Sequence, residues 1–438
     1  MKKTALLLLV AIPTIMCAQS WSLHRCIDYA LEHNITIRQQ QNTAVLQQIQ
    51  LDDNRGNHLP NMDASVSQNF SFGRGLTAQN TYENNNTSNS SLSLSASVPL
   101  FAGYKIVNSV KMARLNLDAS LADLEKARDD IRSQVAKAYV QILYDKEIAA
   151  VAQRQIEIDS LQVVRLQRMY DAGRASAVEV AQQQAQLAKS RLTATTANNS
   201  LALSVLALTQ LLELPSPDGF FIVVPDTSSV SIMQEPLPLP DIVYAEAIGI
   251  KPQIRAEQLR LAVSDYNIRI ARGDYLPTLS LSGGIGTNYY KTSGFRADPF
   301  GTQLKNNFSQ YLGINLSVPV FNHFSTRNKI RQAKIERSNS QLRLDAEKKA
   351  LYKEIQQVYY NALAAKSKWE SSNEAVVSAQ AAFGLAKAKY ENGKATITEF
   401  NEQKNSMLSA MSDLVQAKYE YLYQSALLDF YQGKELDF

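Results

Sequence analysis

Apolar positions spaced seven apart mark the longest parts of this chain as packed helices. Phe400, Met407, Leu414, Tyr421 and Leu428 form one such row, and Val180, Leu187, Ala194, Leu201 and Leu208 hold the equivalent places 220 positions earlier. A heptad of this kind gives a helix one apolar seam. Around it stand mainly Gln, Ala, Ser, Lys and Asp, which suits a helix with water along much of its surface. Proline is absent from Ala102 to Tyr170 and from Asn322 to Tyr390. At the ordinary rise per residue each run would extend about 100 Å, beyond any ordinary globular core. After breaks at Gly173 and Gly393, shorter runs end near Leu214 and Tyr431. The leading segments, Ser22 to Asn57 and Asp241 to Gly273, have about 35 residues each. A leading and a trailing helix laid end to end would match one long helix, which predicts a cylinder of antiparallel helices.

A second periodicity interrupts the helices twice. Leu92, Leu94, Ala96 and Val98 alternate with Ser91, Ser93, Ser95 and Ser97, and Leu312, Ile314, Leu316 and Val318 repeat the apolar half. Period two predicts strands with one apolar and one polar face. Met62 to Gly73 and Thr278 to Tyr290 are the expected partner strands, and Arg74 to Asn89 and Lys291 to Asn307 the polar loops between them. The glycines at 283, 284 and 286 fit a strand that bends or passes close to a neighbour. Strand runs of about 10 to 12 residues are long enough to cross a bilayer when tilted.

The two periodicities come as a tandem duplication. Val98-Pro99-Leu100-Phe101 recurs as Val318-Pro319-Val320-Phe321, and Tyr170-Asp171-Ala172-Gly173 as Tyr390-Glu391-Asn392-Gly393, both from 98 to 318 and from 170 to 390. The expected organisation is a signal peptide at 1–18, a first repeat at 19–214, a proline-rich linker at 215–240 and a second repeat at 241–438. Four strands per chain cannot close a barrel, but three copies would supply twelve. The fold class expected is therefore mainly α with a membrane β-barrel, built as a homotrimer from a duplicated chain.

Composition narrows the function. Lys2 and Lys3 precede the apolar run Leu6 to Ile12, which reads as a secretory signal cut before Gln19; Cys17 offers lipidation as the other processing route. No further apolar stretch is long enough for a helical span, so an integral position in the membrane requires a closed barrel. The formal charge of +4 falls to +2 once Lys2 and Lys3 are removed, which gives no reason to expect nucleic acid as a partner. Four dispersed histidines and two cysteines define no metal site, disulfide framework or cofactor, and no nucleophile, base and orienting group fall together as an enzyme would need.

The duplicated plan, the Val-Pro-Leu-Phe-Ala-Gly junction at 98–103 with its copy at 318–321, and the Tyr-x-x-Gly turns at 170–173 and 390–393 together resemble the TolC family of outer-membrane efflux proteins. The resemblance covers the whole mature chain. It implies the outer-membrane channel of a tripartite efflux or type I secretion system: a homotrimer in outer-membrane lipid, with a helical tunnel in the periplasm. It also implies docking to a periplasmic adaptor and, through it, to an inner-membrane pump. Family gate carboxylates fall on Glu179, Glu399 and Glu402, as glutamates in place of aspartates, while the gate-holding arginine position carries Ala395. Three copies of such acids around one axis would favour cations; alternatively, a Glu early in a helix complements the macrodipole. Tyr170 and Tyr390 read as packing residues at the helix ends. Phe101 and Phe321, after Pro99 and Pro319, read equally as an aromatic girdle or as a collar between barrel and tunnel. The competing function is a trimeric coiled-coil adhesin or stalk, which would normally carry its barrel segment at one end of the chain.

Overall fold

The computed structural model describes residues 20–76, 80–225, 236–293 and 295–436; the expected signal segment with Cys17 lies outside them. The chain divides into two compact units. One is formed by the segment ending at Gln40, Leu124–Ile254 and the segment from Glu347, and the other by Gln41–Asp123 with Arg255–Ala346.

The second unit carries the sheet. Strands β1 (Asn61–Ser71), β4 (Thr87–Ala102), β5 (Thr278–Thr292) and β6 (Ser309–Ser317) run antiparallel in the order β1-β4-β5-β6. The register lines up Ser65, Ser93, Gly286 and Ser309 in one row, and Met62, Ala96, Gly283 and Leu312 in a row three positions along, on the opposite face. Serine hydroxyls bridge the polar face, Ser65 to Ser93 at 2.7 Å and Ser67 to Ser91 at 2.6 Å. The apolar face is open: Val66 is 78% and Leu312 80% exposed in the single chain. At Gly284 a Cβ would lie 2.8 Å from the Tyr311 ring and from the Leu94 carbonyl oxygen, so close approach of a neighbour explains that glycine.

Three expectations need correction here. The polar loops are partly ordered: β2 (Arg74–Leu76) pairs with β3 (Tyr82–Asn84), and α7 (Phe300–Asn306) stands in the second loop. Gln303 ties α7 to β5 by accepting the Tyr290 N–H at 3.0 Å and donating to the Tyr290 carbonyl at 3.1 Å. The copied Val-Pro-x-Phe segments also differ. Pro99 and Phe101 lie inside β4, with a register irregularity between them, whereas β6 ends at Ser317 and leaves Pro319 and Phe321 outside the ladder. β5 begins at Thr278, which pairs with both Ala102 and Ser317, so β6 has no partner beyond that point.

The third correction concerns the leading helices, each of which is broken once. In the first repeat α1 (Leu23–His33) stops at Asn34, whose amide donates to the Leu211 carbonyl at 3.0 Å and whose side-chain oxygen accepts the Thr36 N–H at 2.9 Å, starting α2 (Ile35–Gly56). In the second repeat α5 (Pro240–Ile250) gives way at Lys251 to α6 (Pro252–Gly273). A proline can occupy the first turn of a helix but not its interior. Pro240, read from the sequence as linker, likewise opens a helix.

The remaining helices obey the duplication. α3 (Lys105–Asp171) and α8 (Ser325–Glu391) have 67 residues each, and α4 (Ala177–Leu211) and α9 (Ile397–Tyr431) 35 each. Both long helices start from left-handed residues, Gly103 and Tyr104 in one, His323 and Phe324 in the other. The heptad seam is the packed face: Val180, Leu187, Ala194, Leu208, Phe400, Tyr421 and Leu428 are all buried. Among the described residues no helix is long and apolar enough to cross a membrane.

Candidate functional site: the helix-turn tips

The two Tyr-x-x-Gly segments form matching tight turns. Gly173 and Gly393 adopt φ of 72° and 69°, a region that glycine enters without a Cβ penalty. Each closes its helix by two backbone bonds. Gly173 N–H reaches the Tyr170 carbonyl at 2.8 Å and Arg174 N–H the Met169 carbonyl at 2.7 Å; in the copy, Gly393 N–H reaches Tyr390 at 3.1 Å and Lys394 N–H reaches Lys389 at 2.8 Å. These bonds satisfy carbonyls that the helix end would otherwise leave open.

The next helices begin with capping boxes. Ser176 Oγ accepts the Glu179 N–H at 3.2 Å while the Glu179 carboxylate accepts the Ser176 N–H at 2.8 Å. Thr396 and Glu399 repeat this at 3.2 and 2.9 Å. Two of the three sequence-selected acids thus have a structural task, satisfying backbone donors at a helix start. Glu402 lies one turn on, exposed to solvent.

The tips are packed on one another. Leu166, Val180, Ile397 and Phe400 form a buried cluster, joined at its margin by Phe383 and Tyr390. The Tyr390 ring lies 5.2 Å from that of Phe400, and the Arg165 guanidinium sits 5.3 Å over the Tyr390 face. Burial pushes the Tyr390 hydroxyl above the usual phenol range, opposed in part by Arg165. Tyr390 is therefore a packing residue, while Tyr170 is 46% exposed. Arg165 also donates to the Glu391 carbonyl at 3.2 Å. It approaches this tip from α3, where the sequence offers only Ala395 at the expected arginine position.

Sequence reasoning passed over the most deeply buried charges. Asp159 of α3 and Lys404 of α9 form an ion pair in which both side chains are fully buried. The available signal was Lys404 itself, a cation four residues beyond Phe400 on the apolar stripe of α9.

At the junction between strands and helices, the Phe101 ring meets Tyr104 edge-on at 5.2 Å and the Phe321 ring meets Phe324 edge-on at 5.5 Å. Phe321 is 67% exposed.

An antiparallel sheet with a lipid-ready face and a serine-lined face, joined to paired helices of matched length that end in tight turns, defines an outer-membrane channel. The family model for outer membrane efflux proteins matches residues 26–213 and 243–434, and the chain belongs to that family. The outer membrane efflux protein BepC of Brucella suis is 22% identical over 83% of this chain and 75% of its own length. The outer membrane protein TolC of Escherichia coli is 23% identical over 80% and 71%. Among solved structures, the VceC outer membrane protein of Vibrio cholerae superposes with a TM-score of 0.76 at 18% identity, covering 95% of this chain and 97% of its own. The CmeC outer membrane channel of Campylobacter jejuni gives 0.78 at 19%, covering 95% and 87%. The protein is an outer-membrane efflux or secretion channel with its helical part in the periplasm; none of these likenesses supports the adhesin reading.

Proposed function

We propose that three copies assemble so that β6 of each pairs with β1 of the next, closing a twelve-stranded barrel. The observation that carries this is the isolated sheet itself. It has an even number of antiparallel strands, open edges at β1 and β6, and an apolar face that water would disfavour. Open strand edges are not tolerated in lipid. The homotrimer then conducts passively, as a conduit and not an enzyme, substrates delivered by an inner-membrane pump through a periplasmic adaptor. The aromatic pairs at the junctions, with exposed Phe321, suit a girdle at the inner membrane interface. Native mass spectrometry in detergent should give a trimer, and planar bilayers should show stable channels; a monomer without conductance would overturn the assembly.

The tips Tyr170–Gly173 and Tyr390–Gly393 are read as the periplasmic gate, with Glu402, Glu399 and Glu179 as its acidic residues. Glu399 and Glu179 carry two functions together, cap and ring. Glutamine also serves at the third position of a capping box, so Glu399→Gln with Glu402→Gln removes charge while keeping the cap. Block by hexamminecobalt(III) in planar bilayers should weaken at least tenfold in this variant. An unchanged block would exclude the ring.

A further inference from the structure

We propose that the buried Asp159–Lys404 pair is a positioning device that fixes the rotation of α9 about its own axis and thereby aims Glu402. This rests on the gate reading above and assigns to buried residues on the face of α9 away from Glu402 the setting of its direction.

Five side chains from three helices form the device. Lys404 Nζ donates to Asp159 Oδ1 and, at 3.2 Å, to Asn401 Oδ1. Gln183 Nε2 of α4 donates to the same Asp159 oxygen at 3.2 Å, Ser190 Oγ to the other, and Asn401 Nδ2 to Gln183 Oε1 at 3.1 Å. Asp159, Gln183, Ser190 and Lys404 are all fully buried. Towards the tip lies the cluster of Leu166, Val180, Ile397 and Phe400, and beyond the network the alanine layer of Ala149, Ala152, Ala194 and Ala197.

Apolar contacts hold helices together but tolerate repacking. A buried ion pair does not, because turning α9 by one residue would leave Asp159 charged, buried and without its cation. A single polar pair fixes register in coiled coils for the same reason. The geometry carries this to the gate. At 3.6 residues per turn Glu402 stands about 200° round α9 from Phe400 and about 160° from Lys404. It is therefore opposite the anchored face, and its direction follows from where Lys404 is held.

The test uses the full-length channel in planar bilayers and a neutral replacement of the pair. In Lys404→Met with Asp159→Asn, the new amide still accepts from Gln183 and can donate to Ser190, whose hydroxyl keeps the Gln186 carbonyl 3.0 Å away. The double variant is expected to melt as the unmodified channel does, to spread from one conductance level to several, and to need at least fivefold more hexamminecobalt(III) for half-block. Lys404→Met alone should melt earlier, since it strands the aspartate; restoration of melting but not of uniform conductance by the second substitution separates positioning from packing. A double variant with one conductance level and unchanged half-block overturns the proposal. If Glu399→Gln with Glu402→Gln leaves block unchanged, the gate reading falls, and the conductance distribution alone then decides whether the pair fixes α9. Should the double variant not fold, Asp159→Glu, which keeps the charge on a longer arm, is expected to give the same spread, and a single level there would equally refute it.

Discussion

Gly103 and Gly273 face each other so closely that a Cβ built on Gly273 would lie 2.6 Å from the Gly103 carbonyl oxygen, and one on Gly103 2.5 Å from that of Gly273. The contact brings the end of α6 against the start of α3 where the sheet gives way to helix. Gly273 has no unusual backbone angle, so Gly273→Ala tests the approach alone. Overpacking of this kind costs about 1–3 kcal/mol. Thermal unfolding of the variant should begin at lower temperature than in the unmodified channel; an unchanged midpoint would show that the junction has slack.

Asp274, the next residue, binds two lysines, Lys105 at 2.9 Å and Lys329 at 3.0 Å. The hydrogen bond from Lys105, with that from Lys329 and both positive charges, holds its carboxyl below the ordinary 3.8, against a smaller opposing effect of burial. A lowered carboxyl pKa stabilises the fold above the unfolded value and ceases to do so as pH falls through the folded one. Lys329 is well exposed, so the contribution is discounted to below about 1 kcal/mol. Asp274→Asn should lower the melting temperature slightly at pH 7, with the difference shrinking as the pH falls below the ordinary 3.8.

Cys26 is fully buried, and burial pushes its thiol up to about 12. Since the thiolate is the reactive form, the folded chain should resist iodoacetamide at pH 8 and become alkylated only on unfolding. Rapid labelling under native conditions would contradict this burial. Raising pH above 9 should cost stability, because the unfolded thiol ionises there and the folded one does not.

Tyr139 donates its hydroxyl to the Val223 carbonyl at 2.5 Å, with the Trp21 carbonyl 3.2 Å away. The same segments meet through a parallel bridge between Trp21 and Ile222. Tyr139→Phe leaves the Val223 carbonyl without this donor and should destabilise by about 1–2 kcal/mol. Limited proteolysis within 215–225 should accelerate in parallel; an unaltered cleavage rate would mean that other contacts hold the segment.

The capping boxes predict a local effect. Ser176→Ala and Thr396→Ala should each cost about 1 kcal/mol, read as faster hydrogen exchange in the first turns of α4 and α9. Equal protection in both variants would show that tip packing around Phe400, and not the cap, holds these turns.

The sequence by itself determined whatever is periodic or local. Period seven located the seams, period two the strands, and the repeated offset the equality of α3 with α8 and of α4 with α9, because side-chain direction follows the backbone repeat. Gly173 and Gly393 were legible as turns for a similar reason, since left-handed backbone selects glycine. The Ser176 and Thr396 caps were open to the same local reading. Only the tertiary structure decided matters that depend on a distant partner. Asn34 breaks the leading helix because the Leu211 carbonyl stands within reach. β6 stops at Ser317 because β5 begins at Thr278. Arg165 occupies the tip although the expected position holds Ala395, and Lys404 is buried because Asp159 faces it. Such partners lie from 39 residues apart, for Thr278 and Ser317, to 245 apart, for Asp159 and Lys404, and no spacing rule connects them; their energies arise only when the folded chain brings them together.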